Sequence, residues 1–279
     1  MLAPTGPRSG QSLPHKHRAD AYAIDGSIIL TMDNEHTSHR YAWYELAGRS
    51  GARVVKVSRR PGEAWGEALV AAIRGSEAPV SIVAGTLVHW FEGMSVDIEA
   101  VAEAAHAVGA SLVMDGIQWV GAIPFDVSRV RPDFPSFATY KFLLGPYRLA
   151  SLYADAAWHE KGQPIEFHSW NRASGDRPDF YLETMPDCLP GVRRFDMGER
   201  SDFAVLPVAI EALEVIRNWG VEAVHERWRI SIVGFGKRLN TAASVAPSRN
   251  SARRTYPWWN SARNSGTTLQ AGLRRRTPT

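Results

Sequence analysis

The sequence predicts an α/β fold built on a mainly parallel sheet with helices on both faces. Short runs rich in Val, Ile and Leu recur along the chain, and helical patterns of roughly 10–15 residues separate them. A length of 279 residues with 44% hydrophobic content supports one large domain with a sizeable core.

The elements follow in order. Residues 27–32, Ser-Ile-Ile-Leu-Thr-Met, read as the first strand, and a helical pattern runs through Tyr41, Tyr44, Leu46 and Ala47. A second strand is expected at 53–57, then a helix over 64–73 with Ala68, Leu69, Ala72 and Ile73 on one face. The third strand is expected at 80–84. A helix over 96–108 follows, in which Ile98, Val101, Ala102, Ala105 and Val108 are spaced for burial. Further strands are expected at 111–114, 137–140 and 149–153. A Pro/Gly-rich stretch then leads to about Gly198, and two helices are expected at 203–219 and 221–239. Right-handed connections are expected throughout. The chain thus divides into an irregular segment 1–26, a domain 27–240 that ends in connecting helices, and a tail 241–279.

Charge sets the tail apart. The net charge is +3, yet residues 241–279 hold seven arginines and no Asp, Glu or Lys, leaving the rest at −4. Such a tail without apolar periodicity is read as disordered, not as a nucleic-acid surface. No apolar run has the length of a membrane span or of a signal peptide. A single cysteine, Cys188, excludes a disulfide framework and suits the cytoplasm.

The chemistry is expected at strand ends, because ligands of parallel sheets bind at the carboxyl edge. One strand ends in Asp115-Gly116-Ile117-Gln118 and the next in Tyr140-Lys141. Taken singly, Asp-Gly reads as a turn and Lys141 as a solvated amine. Lysine is scarce, however, at five residues among many arginines, and only an amine can lose its proton to become a nucleophile. Gly234-Phe235-Gly236-Lys237 lacks the glycines of a nucleotide loop. His36 and His39 lack the further ligands of a metal site, so no metal is expected.

Six segments in order resemble the class V aminotransferase family. They are Glu35-His36-x-Ser38 with Trp43, Val88-His89-Trp90 with Gly93, Val96 and Asp97, and Asp115-Gly116-x-Gln118. Gly121-Ala122-x-Pro124-x-Asp126, Tyr140-Lys141-x-Leu143-Leu144-Gly145-Pro146-Tyr147 and Arg194-Phe195-Asp196-x-Gly198-Glu199-Arg200 complete the set. The resemblance implies the large domain of a fold-type I enzyme using pyridoxal 5′-phosphate (PLP). Transaminase or lyase chemistry on a small amino acid through a lysine Schiff base, and a homodimer, are implied with it.

By that resemblance Lys141 bonds to the cofactor and later moves protons at the substrate Cα. Asp115 pairs with the pyridine nitrogen, Gln118 bonds the phenolic oxygen, His36 stacks on the ring and Tyr140 reaches the phosphate. His89, Trp90, Trp170 and Asn171 are candidates for the pocket. Cys188 falls outside any sulfur-accepting motif and reads as an ordinary thiol, which ranks desulfurase chemistry below transamination or elimination.

Departures from the pattern are expected to matter. The upstream phosphate cradle and most of the small C-terminal domain have no counterpart, so the alternative is a catalytically incomplete remnant that binds PLP weakly or not at all. Ala138 stands where relatives often place a hydroxyl, and Arg148 where they usually have glycine. Glu199 and Arg200 occupy a loop where some relatives have threonine.

Overall fold

The computed structural model describes residues 25–173, 186–198 and 201–232. The expected irregular segment up to residue 24, Glu199 and Arg200, the end of the helix expected at 221–239 and the tail 241–279 lie outside them. Two compact units divide the chain, Met1–Arg227 and Trp228–Thr279. Of the second, the described residues 228–232 are helical. All that follows concerns the first.

A six-stranded sheet forms its centre. Strand β1 (Ile28–Met32) is followed by helix α1 (Thr37–Ser50), β2 (Arg53–Val57), α2 (Trp65–Arg74), β3 (Val80–Thr86) and α3 (Ile98–Ala107). Then come β4 (Ser111–Asp115), the single turn α4 (Val127–Val130), β5 (Phe134–Ala138), β6 (Ala150–Leu152) and, after three short 3-10 turns, α5 (Val205–Trp219). The strand order is β2-β1-β3-β4-β5-β6. The first five strands are parallel, and β6 runs antiparallel along β5.

Every residue of β1 is buried, as expected for a strand covered on both sides. Ile28, Leu30 and Met32 join Leu112 and Met114 against α2 and α3. Ile29, Ile82, Ala84 and Val113 face the other way, toward Trp43 and Leu46 of α1 and toward Trp158 and Phe195. The chain reverses its direction of travel across the sheet between β1 and β3, and right-handed crossovers then place α1 on one face and α2 and α3 on the other. Such a reversal, at the carboxyl ends of β1 and β3, is where ligands of parallel sheets commonly bind.

One strand is clearly displaced from its expected span. β5 starts at Phe134 instead of 137, because Pro135 sits where only its carbonyl is needed. That oxygen accepts the Tyr153 amide at 2.9 Å. The shift leaves Lys141 in the turn beyond the strand. At the ends of β1 and β3, α1 is capped by His36, whose Nδ1 accepts the Ser38 amide at 3.3 Å, and closed by Gly51 in the left-handed region, φ 78°.

Candidate active site

Four of the loops that leave the carboxyl edge of the sheet are tied together in pairs. The loops after β1 and β3 form the first pair. His89 is fully buried and stacks on Trp65 with ring centroids 4.8 Å apart. The Glu92 amide donates to its Nδ1 at 3.3 Å, so the proton is on Nε2, which donates to the Asp33 carbonyl at 3.0 Å. Trp90, the next residue, is exposed, and its indole N–H donates to the Asn34 carbonyl at 2.6 Å. Its ring meets that of His36 edge-on, 5.2 Å between centroids. His36 is itself exposed.

The loops after β4 and β5 form the second pair. Asp115 is the last residue of β4 and stands in register between Thr86 of β3 and Ser136 of β5. Its carbonyl accepts the Thr86 hydroxyl at 2.9 Å and the Trp119 indole N–H at 2.8 Å, and its Oδ1 accepts the Ile117 amide at 2.9 Å. The backbone is therefore pinned from both sides while the second carboxylate oxygen has no hydrogen-bond partner among the described residues. Lys141 follows β5 in a loop folded on itself, in which the Thr139 hydroxyl donates to the Pro146 carbonyl at 2.8 Å and the Gly145 amide to the Thr139 carbonyl at 2.8 Å. Among the described residues its ammonium makes neither a hydrogen bond nor an ion pair.

Glycines set how closely these two loops approach. A Cβ on Gly116 would lie 2.8 Å from Val120 Cγ2 and 3.0 Å from Phe137 Cβ. On Gly121, at φ 91°, it would lie 2.8 Å from the Phe142 carbonyl oxygen and 2.9 Å from Leu143 Cδ2. The turn that follows the acid thus touches the residues that follow the amine. Gln118 lies within that turn, half-buried.

The remaining candidates fall in different surroundings. Tyr140 stacks on Tyr147, centroids 4.3 Å apart and planes 13° from parallel. His89 is enclosed as an anchor and reaches no open surface, whereas Trp90 beside it does. Trp170 is exposed; Asn171 is fully buried, its Nδ2 donating to the Glu166 carbonyl at 2.7 Å. Cys188 is a free, half-buried thiol bridged along the backbone to Arg172.

Sequence reasoning passed over Glu35 as a site residue, although the segment quoted above contains it. Glu35 is 4% exposed and accepts the His36 amide at 2.8 Å. Burial works to raise its pKa, but the neighbouring His39 and the His36 amide outweigh it and hold the carboxyl below the usual range. Burial acts alike on Asp133, and there it prevails, raising the pKa although Trp158 and Leu112 donate to the carboxylate.

The donor set suits a pyridine ring bearing a phosphate and an aldehyde. An unpartnered carboxylate oxygen can meet a protonated ring nitrogen, a free amine can meet the aldehyde carbon, and an exposed imidazole offers a flat face. A family model, aminotransferase class V, matches residues 15–244. The chain belongs to the class V aminotransferase family. It is similar to a probable cysteine desulfurase of Vibrio cholerae, 34% identical over 149 residues that make up 50% of this chain and 36% of that one. It is also 25% identical to the isopenicillin N epimerase of Streptomyces clavuligerus over 215 residues, 76% of this chain and 53% of the relative. Among solved structures, the cysteine desulfurase CsdA of Escherichia coli superposes with a TM-score of 0.67 at 21% identity, over 82% of this chain and 56% of that chain. The chain thus has the fold-type I large domain, and it spans between about a third and a half of the length of these two curated relatives. Among the described residues no helix is long and apolar enough to cross a membrane.

Proposed function

We propose that this chain carries the large-domain half of a PLP-dependent active site, acting at the Cα or Cβ of a small amino acid by transaminase or lyase chemistry. One observation carries the reading. A carboxylate with a free oxygen at the end of β4 and, in the turn beyond β5, an amine with no partner among the described residues stand on loops whose approach requires glycine at 116 and 121.

When bound, PLP supplies an electron sink that stabilises negative charge at the substrate Cα. Asp115 would hold the proton on the ring nitrogen, which its doubly anchored backbone keeps in place. Lys141 would form the covalent bond to the cofactor and afterwards accept or return the Cα proton, a task open to an amine and closed to guanidinium. His36 would cover one face of the ring, with Gln118 bonding the phenolic oxygen and Tyr140 the phosphate. Trp90 and Trp170 present exposed rings that a substrate or a second copy can meet. His89 and Asn171 would act from the interior by fixing the loops. A homodimer in the cytoplasm completes the reading.

The test is a PLP titration of the purified chain. A visible absorption band that is lost in Lys141→Ala, and that small amino acids perturb in the wild type, is the expected result. No band at saturating PLP would overturn the proposal in favour of an incomplete remnant.

A further inference from the structure

Behind the His36 loop lies a buried polar cluster. Glu35 is 4% exposed and His39 not at all. One Glu35 oxygen accepts the His36 amide at 2.8 Å. The other lies 3.9 Å from Nδ1 of His39, too long for a hydrogen bond. That oxygen, both His39 ring nitrogens, Trp43 Nε1 and Thr31 Oγ1 have no hydrogen-bond partner among the described residues. The His39 ring meets Trp43 edge-on with centroids 5.9 Å apart.

A polar pair placed this deep adds little stability, since apolar residues of similar volume commonly do as well. Its value lies in what the pair holds. Glu35 grips the first amide of the turn that presents His36. The Ser38 amide then bonds Nδ1 of His36, which leaves the proton on Nε2, and Trp90 limits the ring's swing. His36 has no enclosing pocket of its own, so its attitude is set from behind.

We propose that Glu35 and His39 are a buried positioning pair for His36: the carboxylate, packed beside the His39 ring, fixes the backbone that aims the His36 imidazole. The use of that imidazole against a cofactor rests on the function proposed above; the aiming itself does not.

Four variants test it: Glu35→Gln, which keeps an acceptor for the His36 amide, Glu35→Leu, His39→Leu, and the double variant Glu35→Gln/His39→Gln. The first readout is the ¹⁵N spectrum of the His36 ring in protein without PLP, which reports whether Nδ1 stays the acceptor. The second is the visible circular dichroism of added PLP, which follows the orientation of a bound ring. Glu35→Leu and His39→Leu should mix the His36 tautomers, diminish the dichroism and weaken PLP binding about tenfold, the scale on which outer partners act at ligated sites. Glu35→Gln should stay within about threefold of wild type, and the double variant, with a neutral hydrogen bond in place of the pair, should restore the wild-type signals.

A merely structural pair would lower the unfolding midpoint and leave both signals of the folded fraction unchanged, and that result overturns the proposal. So does failure of the double variant to restore the signals, which keeps the test decisive if the leucine variants do not fold. If wild-type protein gives no band with PLP, the functional reading fails, and the His36 spectrum still decides the role of the pair.

Discussion

Arg148 has a φ of 74° and Leu144 one of 57°, both in the left-handed region, on either side of Gly145 in the lysine loop. An L side chain there costs about 1–2 kcal/mol, partly offset by the lower chain entropy of a non-glycine residue when unfolded. Relatives by resemblance usually have glycine at the position of Arg148, and the backbone supplies the reason. Arg148→Gly should therefore raise the unfolding free energy by about 0.5–1 kcal/mol in a denaturant titration. Glu35 gives a second expectation. Its folded pKa lies below the usual carboxylate range, so its contribution to stability is present above that range and is lost as pH falls through the folded value. Denaturant midpoints measured from neutral pH down through that range should fall less steeply for Glu35→Gln than for wild type. An equal slope in both proteins would remove Glu35 from the acid response.

Among the elements, contact between the turn after β4 and the turn after β5 decides the site. Gly121 and Gly62 have similar backbone angles, φ 91° and 88°, yet a Cβ on Gly62 meets nothing within 4 Å. Gly62→Ala thus measures the conformational cost alone, and Gly121→Ala adds the clash with Phe142 and Leu143. The second variant should be less stable than the first by about 1–3 kcal/mol, the usual cost of overpacking. PLP binding should weaken in Gly121→Ala and stay unchanged in Gly62→Ala, as titration of the visible band would reveal. Helix boundaries were legible beforehand at this scale: the expected 203–219 is found as α5, Val205–Trp219, because its apolar residues recur at helical spacing. The start of β5 was not legible. Pro135 looks like a strand breaker until its carbonyl is seen to serve Tyr153.

At the scale of the molecule, α5 leaves several apolar side chains in the open. Ala209, Ala212 and Ile216 are buried, while Val208, Ile210 and Leu213 are 53%, 60% and 46% exposed. Exposed apolar side chains flanking a helix's buried stripe mark surface left to cover. In the proposed homodimer that cover is a second copy. Ile210→Glu should then lower the sedimenting mass toward that of one chain without altering the far-ultraviolet circular dichroism. An unchanged mass, whether of one chain or two, would take α5 out of the interface.

The order of strands and helices and the family were legible in the amino acids. Periodicity and motif spacing are local properties that survive without a fold. What the folded chain alone decided is the direction in which each loop residue points. His89 and Trp90 are sequence neighbours, yet one is sealed against Trp65 and the other lies open beside His36. Glu35 and His36 divide in the same way between interior and surface. Loops lack a fixed period, so inside and outside there depend on which distant strands bring partners close.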